Sequence, residues 1–255
     1  MLSRTTILQH AIQLTKSMPL DQISMVQLAK DFGVAPGLIH YYLGGRDQLI
    51  SGVLNDYYRQ RILRIPPLTG DWRADVEQIA RLSFQVALEN PGVSNYVVSH
   101  NRHRLFQDVQ PGETDYGLEF FNHMTCAIMQ GGFSAGQVAL GYHLLAQYLV
   151  TASMAEASRQ LPMYHQAYIQ GKLDSVPAEE YPGARFVSKE FSRLSSDIAF
   201  EKGLGINLGQ VEVGKPRTDT RRMCWSPSMG ARPPTSAESA SSASRWNGTS
   251  GTASR

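Results

Sequence analysis

The sequence predicts an all-α chain, and three observations carry the prediction. Apolar residues recur at helical spacing from Ile7, Ala11 and Leu14, at i, i+4 and i+7, through to Val211. No apolar–polar alternation of strand length interrupts them. Glycine and proline punctuate the pattern at Pro19, Gly33, Gly44-Gly45, Pro66-Pro67, Pro91-Gly92 and Gly131-Gly132, where helices start or stop.

A chain of 255 residues exceeds the usual single-domain size and predicts two domains or one with extensions. Its 42% hydrophobic content is enough for a core, and no run of about eighteen apolar residues exists to span a bilayer. The N-terminus carries no basic-then-apolar leader, which predicts a cytoplasmic protein with no membrane partner. Cys126 falls in a helical pattern and Cys224 in a polar tail, so they form neither a disulfide framework nor a metal site. The net charge of +2 is unevenly spread: Lys/Arg against Asp/Glu run seven to four over residues 1–64, ten to sixteen over 65–212 and seven to two over 213–255. The acidic middle would be repelled by phosphate, whereas the N-terminal part would not.

The first helix spans residues 5–17, with Leu8 and Ile12 beside its apolar stripe, and Arg4 in the preceding arm is placed to reach a phosphate. Ser24 opens the second: its hydroxyl accepts from the Gln27 N–H while the Gln27 side chain reaches back, a capping box stapled by Ile23 and Leu28. Met25, Leu28, Ala29 and Phe32 form its buried stripe, and Gly33 ends it in the left-handed region. Pro36 suits the first position of a third helix that runs to Leu43, where Gly44-Gly45 stops it. Helix, glycine turn, helix is the arrangement whose second helix enters the major groove while the first crosses the backbone. An ordinary helical hairpin shows the same spacing. A fourth helix from Arg46 to about Leu63 carries Leu49, Ile50, Val53, Leu54 and Tyr57. Pro66-Pro67 ends it and sets a boundary, so residues 1–64 form a helix-turn-helix domain.

Beyond the boundary, Asp71–Glu89 is apolar on more than one face and predicts an interior helix, followed by a short helix from Val93 to about His100. Thr114–Gln130 predicts another. Ser134–Arg159 carries Val138, Leu140, Leu144, Leu145, Tyr148, Leu149 and Met154, more apolar surface than one chain can bury. Residues 161–183 predict a loop with at most one helical turn, and 184–210 a last helical pair that breaks between Phe200 and Glu201. Gly203, Gly205 and Gly209 each weaken the final helix by roughly 1 kcal/mol relative to Ala, which points to close packing against a neighbouring helix. Residues 65–212 thus form a second helical domain. Residues 213–255, rich in Ser, Ala, Gly, Pro and Arg, predict a disordered tail, either a basic aid to DNA binding or an inert extension.

The stretch LAKDFGVAPGLIHYYLGGRDQLI resembles the DNA-binding signature of the tetracycline-repressor (TetR) family of bacterial regulators. PPLTGDWRADVEQIARLSFQVALENPGV, MQGGFSAGQVALGYHLLAQYLV and FEKGLGINLGQVE look like the regulatory domain of its tetracycline-binding subgroup, so the resemblance covers about residues 3–212. It implies a cytoplasmic, nucleoid-associated bacterial repressor: a homodimer that binds a palindromic double-stranded operator and is released by a small-molecule inducer. Ser24, Val26, Gln27, Pro36, Gly37, Leu38, His40, Tyr41 and Tyr42 match DNA-facing positions of the family, with His40 and Tyr41 as base readers and Arg46 as a phosphate clamp. The long helix and the terminal helix would build the dimer through Leu144, Tyr148, Gly203 and Gly205.

The pocket departs from the subgroup. Where its members hold the drug and magnesium with polar groups, this chain carries Ile62, Ala80, Val98 and Met124; Arg102 is retained nearby, and Phe84 matches an aromatic of the family's pocket. With Tyr96 these residues imply a largely apolar cavity holding one cation, suited to an aromatic or polyketide-like inducer and requiring no metal or cofactor.

Two other classes remain open. His100, His103, His123, His143 and Glu119 are conceivable metal ligands, and His143 with Cys126 a nucleophile pair, but no HExxH, CxxC, P-loop or GxSxG accompanies them, so an enzyme is not the first expectation. A non-specific architectural DNA protein is disfavoured by the acidic middle.

Overall fold

The computed structural model describes residues 2–99 and 105–212, without the side chains of Val98 and Glu212, and all of them lie in one compact unit. The expected tail 213–255 and the retained Arg102 lie outside the described residues. Every regular element among those described is a helix. α1 (Arg4–Leu14) is followed by a 3-10 turn (Leu20–Gln22), α2 (Met25–Phe32), α3 (Pro36–Leu43) and α4 (Arg46–Ile62). α5 (Trp72–Glu89), α6 (Pro91–Ser99), α7 (Tyr116–Met129) and α8 (Ala135–Ala157) come next, then a 3-10 turn (Pro162–His165), α9 (Gln166–Asp174), α10 (Pro182–Ser192) and α11 (Ser196–Glu212).

Local chemistry sets most of these ends. The Ser3 hydroxyl accepts from the Thr6 N–H at 3.1 Å, so α1 begins at Arg4 and closes at Leu14, short of the expected residue 17. Gly33 (φ 65°) and Gly44 (φ 83°) take the left-handed conformation that releases α2 and α3. Ser134 and Gln137 form the reciprocal box that starts α8. The buried carboxylate of Asp75 accepts from the Thr69 N–H and hydroxyl and from the Gly70 N–H, which locks the α4–α5 connection onto the first turn of α5.

Two apolar cores result. The first gathers Ile7, Leu20, Ile23, Leu28, Ile39, Leu49, Val53 and Leu54 under α1–α4, but also Val86, Ala87, Val93 and Tyr96 from the end of α5 and from α6. The second fills the space between α5, α7, α8 and α11 with Val76, Ile79, Ala80, Phe84, Phe120, Met124, Ile128, Leu145, Leu204 and Leu208. Hydrogen bonds stitch α4 to the start of α7: the Asn55 side-chain amide donates to the Thr114 carbonyl at 2.9 Å and its oxygen accepts from the Tyr116 N–H at 2.8 Å.

The last third departs from the sequence reading. Residues 161–183 hold a 3-10 turn and the nine-residue α9, not a loop with one turn. No side chain of α9 is buried, so it lacks the apolar period that would announce it, and it is held instead through Asp174, which accepts from Arg185 and Ser188 of α10. The final break falls at residues 193–195, not between Phe200 and Glu201. Ser195 accepts from the Ile198 N–H at 3.4 Å and so caps α11, whereas the glycines sit inside that helix.

Candidate DNA-reading surface and effector cavity

α2 and α3 turn their apolar faces to the first core and their remaining faces outward. Met25, Leu28, Ala29, Ile39 and Leu43 are buried, while Val26, Gln27, Gly37, Leu38 and His40 are exposed and Tyr41 retains 80% of its accessible surface. Pro36 stands exposed at the first position of α3. Tyr42 packs against the core and meets the Tyr41 ring edge-on at 5.4 Å, so it supports Tyr41 from below. Ser24 caps α2 by accepting from the Gln27 N–H at 3.0 Å.

Two assignments change, and Arg46 gains a second role. The Gln27 side chain does not return to Ser24; its amide donates to Asp31 at 2.6 Å, one turn along α2, where a carboxylate is the stronger acceptor. Asp31 also meets His10 of α1 at 2.8 Å, and that hydrogen bond holds its carboxyl below the usual carboxylate range. Arg46 is exposed, but its guanidinium donates to the carbonyls of Asp21 and Ile23 at 2.6 and 2.9 Å, clamping the turn that leads into α2. Arg4 lies within α1, not in an arm, and its guanidinium donates to Glu113 at 2.6 Å, a nearer and better-defined acceptor than a phosphate.

The residues singled out for a ligand are dispersed. Ala80 and Met124 are buried in the second core, Ile62 packs at its edge, and Phe84 stacks on Phe200 of α11 at 4.1 Å. Tyr96 belongs to the first core, beneath α1–α4. Val98 lies on α6 with its side chain undescribed.

A cavity of about 30 Å³ does open between α4, α6 and α8, lined by Tyr57, Tyr58 and Arg61, by Ser94 and Val97, and by Val150 and Ser153. None of the five ligand candidates whose side chains are described, Ile62, Ala80, Phe84, Tyr96 and Met124, lines it. Arg61, which sequence reading passed over, is the one basic or acidic side chain among its described lining residues. Only 8% of Arg61 is exposed, its Nη2 donates to the Tyr57 hydroxyl, and its guanidinium carbon lies 4.3 Å from the Tyr57 ring centroid, 5.4 Å from that of Tyr58 and 5.1 Å from that of Phe120. Its Nε finds no acceptor among the described residues. Burial raises the Tyr58 phenol well above its ordinary value against the opposing pull of Arg61, and pushes that of nearby Tyr142 up to about 12, so both stay protonated donors near neutral pH. Position i−4 from Arg61 is Tyr57 and i−3 is Tyr58, a spacing visible in the sequence; its burial was not.

At the far end of α6, the Gly92 N–H donates to the Thr15 carbonyl at 3.0 Å, and any β-carbon there would collide with the backbone oxygens of Thr15 and Met18. One helix therefore lines the cavity and touches the backbone that follows α1.

The proposed dimer residues divide. Tyr148 donates to the Ala199 and Phe200 carbonyls at 3.0 and 2.8 Å and covers Gly203, so this pair closes α8 on α11 within one chain. Leu144 is half-buried, nothing stands within 4 Å of a β-carbon at Gly205, and Leu140 and Ile206 are exposed. Among the described residues no three His, Cys, Asp or Glu side chains gather as metal ligands. Burial lowers the His123 pKa, His143 is exposed, Glu119 is exposed, and the Cys126 thiol faces Asn122 of its own helix at 3.9 Å. His100 and His103 lie outside the described residues. None of the helices described is long and apolar enough to cross a membrane.

No family model matches the sequence, and no curated protein matches it either. Solved structures do. ActR of Streptomyces coelicolor without ligand superposes with a TM-score of 0.70 at 21% identity over 82% of this chain and 94% of that one. ActR of the same organism in complex with actinorhodin gives 0.69 at 21% over 83% and 97%. A further transcriptional regulator of Streptomyces coelicolor, described as a TetR, gives 0.67 at 15% over 83% and 98%. The chain has the fold of the TetR-family regulators.

Proposed function

We propose that the chain is a transcriptional repressor of the TetR type, a cytoplasmic, nucleoid-associated homodimer that grips a palindromic operator and leaves it when a small aromatic molecule binds. The observation that carries this reading is the α2–α3 pair: a glycine-separated helix couple whose second helix presents Leu38, His40 and Tyr41 outward from a rigid apolar floor. The shared fold supports it, and the ActR complex with actinorhodin supports an aromatic, polyketide-like ligand for this chain too.

The coupling follows from α6. Ser94 and Val97 line the cavity while Gly92 abuts Thr15 and Met18, so a ligand that shifts α6 moves the support of α1 and α2. Such a ligand acts only by binding the DNA-incompetent arrangement more tightly than the other.

Selection of bound duplexes from a random pool, followed by titration over a salt series, tests the assignment. His40→Ala should relax sequence preference while sparing non-specific affinity, because His40 is the exposed polar reader on α3. Arg46→Ala should weaken all duplexes alike and lower the salt slope by about one unit. It should also lower the melting temperature, since Arg46 clamps Asp21 and Ile23. Equal losses on selected and random duplex for His40→Ala would show that α3 does not read bases.

A further inference from the structure

The buried cation of the cavity points to the charge of the ligand. A guanidinium in a low-dielectric interior is unfavourable unless an anion or a full set of acceptors meets it. Arg61 forms no ion pair with any described carboxylate, its Nε has no acceptor, and its partners are three aromatic rings and a phenol. The protons free to meet a ligand there are those of the guanidinium and of the Tyr57 and Tyr58 phenols, since Ser94 and Ser153 donate to the Ala87 and Leu149 carbonyls. Asp115, the acidic side chain whose charge acts on Tyr58, is occupied as the cap of α7, accepting from the N–H groups of Gln107, Gly117 and Leu118. A cluster of donors around a cation, with no anion paired to it among the described residues and with an adjoining void, is the complement of an oxyanion.

We propose that Arg61 anchors the carboxylate of an aromatic acid, its guanidinium forming the charge-assisted bonds and Tyr57 and Tyr58 flanking the ring system; this deepens the repressor reading and rests on it. The void of about 30 Å³ holds no more than a group of a few atoms, so it receives the carboxylate. The aromatic body enters by parting α6 from α8, whose wall here is built of small side chains, Ser94, Val97, Val150 and Ser153. That displacement is the one that reaches Gly92 and the backbone beneath α1.

The test is calorimetric titration of the full chain with 2-naphthoate and with its neutral isostere 2-naphthamide. Wild type should bind the acid on the order of tenfold or more tightly than the amide, the ratio expected for a charged hydrogen-bonded pair. Arg61→Met should abolish that preference, and Arg61→Lys, which keeps the charge but not the fork, should retain part of it. Arg61→Met should melt no lower than wild type, because it removes an unpaired buried charge from a position of similar volume. If Arg61→Met does not fold, the acid-to-amide ratio on wild type and on Arg61→Lys decides. Equal affinity of wild type for acid and amide, an acid preference that survives Arg61→Met, or no acid binding at millimolar concentration would each overturn the proposal. Duplex binding by the same samples without probe separates the two readings: sequence-specific DNA binding with indifference to ligand charge removes only the anchor, and charge-selective binding without DNA affinity removes only the repressor.

Discussion

The helix-pair floor and the α4–α8 body differ in how their polar groups are satisfied, although Arg4 Nε of α1 is also buried without a described partner. Beneath the helix pair, Leu20, Ile23, Leu28, Ile39 and Leu49 are wholly or almost wholly buried, and the polar groups at the rim are engaged: Arg46 on two carbonyls, Asp31 on His10 and Gln27, and Ser24 on the α2 N-terminus. In the body, Arg61 Nε, Ser83 Oγ and His123 Nε2 are buried without an acceptor or donor among the described residues. A DNA-reading surface must hold one geometry, which a saturated and closely packed floor provides. A ligand chamber must be able to take up a second arrangement, and unsatisfied groups lower the barrier to leaving the first.

Substitutions in each region test this contrast, in descending order of their effect on the stability of one chain. Leu28→Ala should be the most damaging, at about 3 kcal/mol, since it empties a fully buried site in a floor that cannot collapse. Denaturant unfolding measures it, and a loss below about 1 kcal/mol would show that the floor is looser than its burial implies.

Gly92→Ala should follow, at about 2 kcal/mol, because the neighbours of its β-carbon are backbone oxygens of Thr15 and Met18 that cannot rotate away. It should also blunt any ligand-induced release of DNA; release with an unchanged midpoint would remove α6 as the connecting element.

Gly205→Leu should leave the single chain within about 1 kcal/mol of wild type, as no described atom stands within 4 Å of a β-carbon there and Leu is the better helix former. Sedimentation should nonetheless show the dimer lost, and with it operator binding. A dimer that persists would move the interface elsewhere. Gly203 offers no such clean test, since a side chain there strikes Tyr148 within the same chain.

Ser83→Ala should be the mildest and of opposite sign, neutral or stabilising by up to about 1 kcal/mol, because it deletes a buried hydroxyl that has no described partner. A loss exceeding that would mean the hydroxyl is satisfied and the contrast between the two regions is weaker than drawn.

What could be read from the chain alone was most of what near neighbours govern. Ser24, Gly33, Pro36 and Gly44 fix α2 and α3 through capping and left-handed backbone, contacts that span at most a few residues, and the apolar stripe of Met25, Leu28 and Ala29 names the face that must be buried. Ser134 and Gln137 announce α8 by the same rules. The rest was decided by contacts between residues far apart in the chain. Gln27 is the exception, since its choice of Asp31 over Ser24 is made within one turn of α2, and α9 was invisible because it buries no apolar side chain. Arg46, read as a phosphate clamp, is also brought by folding against the Asp21 and Ile23 carbonyls, a second role that its sequence neighbours do not announce. Arg61 reads as an ordinary solvated arginine on α4 until α6 and α8 close over it, and only that closure turns a surface charge into a buried cation beside a cavity. A periodicity reports which face of a helix is apolar, but it carries no information about which distant helix will cover the polar residue at its edge.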